Sequence, residues 1–157
     1  MTAPDTLVWL ANLAQPRRPG RGPATHPAPP PELQAVNAIV VELVDALIAG
    51  QPVTAPAAAL TDLAAPSTAR IRLEPASDRP LQAELDWSDP TPAGRLARLV
   101  IAELDGLDPA RLRRCERAPC RLVFYDTTRS NTRRWHAESP CGLRARQQRR
   151  RAASADR

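Results

Sequence analysis

Three cysteines and one histidine fall within 27 residues near the C-terminal end, as Cys115, Cys120, His136 and Cys141 in the pattern C-x4-C-x15-H-x4-C. No other feature restricts the fold of this chain so tightly. Thiolate and imidazole are the preferred structural ligands of zinc, and two close pairs joined by a longer connection suit its tetrahedron. Each pair can be presented by one tight turn, with a hairpin between them. Four protein ligands leave no position for a water, so the metal is expected to be structural and the protein is not expected to be an enzyme. Three cysteines and a water, with His136 unbound, would instead make a reactive site. The competing reading is three ordinary cysteines of a reduced protein. An odd cysteine count argues against a disulfide framework. "MTAPDTLVWLANLAQPRR" has an acid near its start and too short an apolar run for a signal peptide. A cytoplasmic setting is expected.

The residues between the ligands read as that hairpin. "RLVFYD" is a strand, "TTRSN" a turn and "TRRWHA" a second strand. Phe124 and Tyr125 then point to opposite faces, one into the core and one outward. Asp126 is expected to pin the turn. Trp135 is either an apolar lid on the module or a platform for a base. After Cys141, "GLRARQQRRRAA" reads as a helix, and knuckle, hairpin and helix is the treble-clef order. Upstream, "LDPARLRR", capped by Asp108, is expected to start a short helix leading into Cys115.

Charge divides the chain. Residues 1–110 hold 8 Arg against 13 acids, and residues 111–157 hold 14 Arg against 4. An acidic body thus carries a basic, polyanion-seeking segment; the plainer alternative is a solvated tail. All 22 basic residues are Arg, which with abundant Ala and 18 Pro suggests a GC-rich, bacterial coding sequence. No stretch approaches the ~20 apolar residues of a membrane span, so no membrane partner is expected.

The body reads as α+β. "DTLVWLANL" is a short helix with Asp5 as cap and Leu7, Leu10 and Leu13 inward. Residues 16–31 form a flexible Pro/Gly-rich loop holding His26, which has no ligand-like neighbour. "PELQAVNAIVVELVDALIAG" is the strongest helix, with Pro31 in its first turn and Gly50 past its end. Thr54 caps a further short helix. "ARIRLE" and "LQAELDW" alternate as strands across the turn "PASDRP". Another helix follows, burying Leu96, Leu99, Val100 and Leu104 and ending at Gly106. Asp86 and Asp89 read as turn and cap residues. The body holds no catalytic constellation and no phosphate loop. The expected fold is a helical body with a small hairpin or sheet over 1–110, followed by a treble-clef-like zinc finger over 111–157.

"CERAPCRLVFYDTTRSNTRRWHAESPCGLRARQQRRRA" resembles the CGNR zinc finger, whose members show two cysteines, "F-x-D", a basic "R-R-W-C" and "C-G-N-R". Cys115, Cys120 and Cys141 match three ligands; Phe124, Asp126, Arg133, Arg134, Trp135, Gly142 and Arg144 match the flanking motif. The resemblance covers about residues 111–151. The preceding body is similar to the ABATE domain that accompanies this finger. Together they imply a stress-induced, DNA-binding transcription regulator. Two positions depart from the pattern: His136 replaces the third cysteine, leaving the zinc site at −1 instead of −2, and Leu143 replaces Asn.

Arginine is permanently charged and grips phosphate or guanine with two hydrogen bonds. The expected DNA-facing set is Arg144, Arg146, Arg149, Arg150 and Arg151 on the last helix, with Arg129, Arg133 and Arg134 from the hairpin. Most contacts should go to phosphate and a minority to bases. A small-molecule effector or a homodimer would engage the body. The alternative is a non-catalytic adaptor whose finger binds RNA or an acidic protein.

Overall fold

The computed structural model describes residues 4–13, 28–75, 80–117 and 120–155. Most of the expected loop over 16–31, with His26, and the centre of the "PASDRP" turn lie outside them. Five helices and two separate two-stranded antiparallel sheets make up the α+β fold. The helices are α1 (Asp5–Asn12), α2 (Pro31–Ala49), α3 (Thr54–Ala64), α4 (Pro92–Leu104) and α5 (Leu143–Ala155). The strands are β1 (Thr68–Glu74) with β2 (Gln82–Ser88), and β3 (Leu112–Arg114) with β4 (Val123–Tyr125). Among the described residues no helix is long and apolar enough to cross a membrane.

The apolar stripe of α2 buries Val36, Val40, Leu43 and Val44 against α1, α3 and α4. Pro31 opens this helix, where its missing N–H costs nothing, and Gly50 closes it in the left-handed conformation at φ 64°. On α4 it is Gly94, Ala97 and Val100 that are buried, with Leu96, Leu99 and Leu104 only half-covered. Small residues let this helix approach its neighbours closely. Leu112, Val123 and Tyr125 join the same apolar cluster, so the core continues across residues 110 and 111 into the C-terminal segment.

Polar side chains from distant parts of the chain complete α1. Asp5 is the first helical residue and not the cap; the cap position is Pro4, which has no side-chain acceptor. Glu103 of α4 replaces it, accepting from the N–H groups of Thr6 and Leu7 at 2.9 and 2.8 Å. A carboxylate there also meets the positive end of the helix dipole. At the other end, buried Asn37 donates to the Leu10 carbonyl at 2.6 Å. Thr54 likewise lies inside α3, whose cap is Val53. Asp86 and Asp89 are ion-pair residues, not turn and cap residues: Asp86 meets Arg72, and Asp89 meets Arg98 through two hydrogen bonds of 2.8 and 2.7 Å. The Arg98 hydrogen bonds hold the Asp89 carboxyl down at about 2.

Asn12 joins the two parts of the molecule. Its side-chain amide donates to the Val123 carbonyl at 2.9 Å and accepts from the Val123 N–H at 2.8 Å. It therefore pairs with β4 as a neighbouring strand would. Removing it strands a buried donor and a buried acceptor together. Asn12→Ala is expected to lower unfolding stability by about 2–4 kcal/mol, measured by urea denaturation of the zinc-loaded chain. Because Asp89 has a depressed pKa, the stability its ion pair adds is fully present above about pH 4 and lost as pH falls towards 2. Carbon-13 titration of Asp89 should place its midpoint well below that of an exposed aspartate.

Candidate metal centre

The sequence around the first two cysteines forms a hairpin, but its partner strand is not the expected one. β4 pairs with β3, Leu112 opposite Tyr125 and Arg114 opposite Val123, and the Cys115–Cys120 knuckle is the loop between them. The expected "LDPARLRR" helix is only a single turn over Pro109–Arg111, capped by Asp108 onto the Ala110 N–H, and then becomes β3. "TRRWHA" is irregular. Pairing β4 with the upstream segment puts Leu112 and Val123 in the core, which pairing with "TRRWHA" would not. Phe124 and Tyr125 are both buried, at 6% and 7% exposure, because Tyr125 enters the core while Phe124 is covered by the Arg133 guanidinium 5.3 Å away.

The four expected ligands converge. One donor atom each from Cys115, Cys120, His136 and Cys141 lies within 4.8 Å of the other three, with Cys115 and Cys141 buried. Zinc bonds of about 2.3 Å to sulfur and 2.0 Å to nitrogen set sulfur pairs roughly 3.8 Å apart and sulfur–nitrogen pairs near 3.5 Å. Cys120 Sγ stands 3.4 Å from His136 Nδ1, as one edge of such a tetrahedron requires. The knuckle is tightened by Cys120 N–H donating to Arg117 O at 2.7 Å, and Cys115 N–H extends the ladder to Leu122 O at 2.9 Å. Cys141 lies in the helical turn Glu138–Gly142 that leads into α5. Donor set, spacing and burial fit a structural zinc ion held by these four residues.

Around the ligands, charge is arranged to hold the histidine arm. Asp126, fully buried, accepts from the Thr128 N–H at 2.9 Å, the Thr128 hydroxyl at 2.6 Å and the Arg133 N–H at 2.8 Å. Burial alone would raise its pKa, but these hydrogen bonds win and leave it below the usual carboxylate range. Asp126 thus pins the turn as the sequence suggests. Arg133 then donates to the carbonyls of Trp135 and of His136, fixing the backbone that delivers the ligand. Glu116 accepts from Arg134 at 2.6 Å, and its own N–H reaches Arg134 O at 3.0 Å, tying the knuckle to the arm. Arg117 lies 4.0 Å from Cys141 Sγ, where its charge would offset that of a zinc-bound thiolate.

Three residues of the expected nucleic-acid set are therefore engaged within the protein. Arg133 is half-buried and positions His136, Arg134 pairs with Glu116, and Arg146 pairs with Glu138. Arg129, Arg144, Arg149, Arg150 and Arg151 are exposed. Trp135 is half-buried, with Arg134, Arg146 and Arg149 each within 6 Å of its ring. Leu143 is 47% exposed at the start of α5. The positioning role of Arg133 left no trace in the sequence, where one arginine of a basic run reads like the next. Asn12 is likewise 111 residues from its partner.

Burial, followed by the neighbouring Cys115 and Cys141, pushes the Cys120 thiol up to about 12. At neutral pH it keeps its proton until a metal displaces it, so zinc uptake must release protons. Zinc affinity is expected to fall as pH drops from 8 to 6, measured by chelator competition. Cys115→Ser and Cys141→Ser should each lose the one equivalent of zinc. Unchanged metal content in both would refute the assignment.

No curated protein matches the chain. Residues 111–153, which contain all four donors and most of α5, match the CGNR zinc finger family, and this part of the chain is similar to that finger.

Proposed function

We propose that the protein is a DNA-binding transcription regulator whose finger is stapled by zinc. The observation that carries this reading is α5. It holds Arg144, Arg146, Arg149, Arg150 and Arg151, no acid, and little apolar surface, and it packs chiefly on the turn that bears Cys141, with Arg146 and Arg149 near the Trp135 ring. A helix with this composition gains nothing from the core, so its charge is available to a polyanion. Zinc holds Cys141 and thereby sets where the helix begins. The exposed residues Arg129, Arg144, Arg149, Arg150 and Arg151 make up the DNA-facing set, most of them on phosphate and a minority on bases.

The body in this reading is ABATE-like, lacks enzymatic activity and works in the cytoplasm. It carries the response to a small-molecule effector. An open groove of about 510 Å³ where the end of α2 meets the finger, lined in part by Leu47, Ile48, Arg113 and Arg133, is where such a molecule would touch both halves.

Selection of zinc-loaded protein against a random duplex library at near-physiological salt tests the reading, and an enriched motif is expected. Five phosphate contacts at about −0.9 each give a slope of log affinity against log salt of about −4 to −5. Replacing Arg149, Arg150 and Arg151 with alanine should reduce that slope by roughly 2.7 with zinc content unchanged. Equal binding to heparin, RNA and random DNA would favour the adaptor.

A further inference from the structure

β1 and β2 form a hairpin with two unlike faces. Directly paired residues share a face of an antiparallel sheet. The pairs Ala69–Trp87, Ile71–Leu85 and Leu73–Ala83 make one face wholly apolar. The alternating pairs Thr68–Ser88, Arg70–Asp86, Arg72–Glu84 and Glu74–Gln82 make the other wholly polar. Such alternation belongs to a sheet with one side packed and one side in water. Yet all fourteen positions are exposed, Ile71 at 74%, Leu73 at 66%, Leu85 at 52% and Trp87 at 42%. A lone two-stranded hairpin is at best marginally stable, so this one needs a cover. Its base is already fixed: Asp89, next to the end of β2, is held by Arg98 of α4, whose guanidinium also lies 4.4 Å over the Trp87 ring.

We propose that the apolar face of this hairpin packs against the same face of a second copy of the chain, making a two-fold dimer. Charge selects this occupant and this geometry. The two strands carry Arg70 and Arg72 against Glu74, Glu84 and Asp86, a net −1, which offers no attraction to nucleic acid or to an anionic membrane. Two-fold edge pairing in the registers centred on Ile71 or Leu85 is opposed as well. Two β1 strands crossing at Ile71 would set Arg70 against Arg72 of the other copy, and two β2 strands crossing at Leu85 would set Glu84 against Asp86. The six strand residues of the apolar face carry no charge, and stacking them leaves the Arg72–Asp86 pair of the polar face on the outside. Ile71, Leu73, Leu85 and Trp87 expose roughly 500 Å² per copy, so two copies would bury about 1,000 Å², the lower end of specific interfaces. Micromolar and not nanomolar association is expected. This inference stands on the hairpin alone and does not depend on what the finger binds.

Sedimentation equilibrium of the full zinc-loaded chain should show mass rising from 17.1 kDa towards twice that across the micromolar range. Ile71→Glu and Leu85→Arg, at exposed sites outside the core, should each hold the protein at the monomer mass with zinc content and far-ultraviolet dichroism unchanged. Arg72→Ala on the polar face should leave the dimer intact. A wild-type monomer throughout that range would overturn the proposal. So would a dimer indifferent to both face variants, or a monomer that binds neutral vesicles through Ile71.

Discussion

The two hydrogen bonds between the Asn12 amide and the backbone of Val123 set the relation between the two halves of this protein. β4 is three residues long and has β3 on one side only. An unpaired strand edge is tolerable in water but costly when buried, and Val123 is buried. Asn12 supplies the missing neighbour with one donor and one acceptor. The side chain is in place only because α1 is held at both ends, by Glu103 and by Asn37. The helical body thus completes the hairpin that presents the first two cysteines.

From that hairpin outward, order is supplied by charge more than by apolar burial. Asp126 collects three donors, Arg133 spans two carbonyls, and Glu116 holds Arg134. Asp126 joins the histidine arm to the turn, Glu116 joins it to the knuckle, and the Arg133 bonds brace the arm itself. The segment from Thr132 to Ala137 forms no strand, and these bonds hold the backbone that carries His136 towards the cysteines. An arginine-rich finger can therefore spend some of its arginines on itself. Arg129, Arg144, Arg149, Arg150 and Arg151 remain exposed.

Much of the body could be read from the sequence because its signals are local. The α2 stripe, Pro31 at its start and Gly50 at its end all act within a few residues, and so does the alternation of β1 and β2. The ligand set was legible for a different reason: tetrahedral zinc fixes residue type and spacing together. What could not be read was pairing at a distance. "TRRWHA" has the composition of a strand, yet β4 takes Leu112–Arg114 instead because that choice buries Leu112 and Val123 with α1 and α2. Asp5 and Thr54 looked like caps on propensity, and packing shifted both helix starts by a residue. Whether a cap comes from the adjacent residue or from Glu103 depends on which helices lie side by side.

The charge division takes on a physical meaning once the shared core is considered. Were the finger a freely tethered module, the acidic body could rotate between it and a polyanion. Leu112, Val123 and Tyr125 packing into the core cluster, with the Asp45–Arg114 ion pair outside it, prevent that rotation. The body holds 13 acids to 8 arginines, so in the proposed DNA-binding role it would repel a phosphate backbone from its own side while the C-terminal segment attracted one. A rigid molecule with this asymmetry would then present its α5 side first, oriented before contact by the long-range field, with the start of α5 determining which arginines arrive.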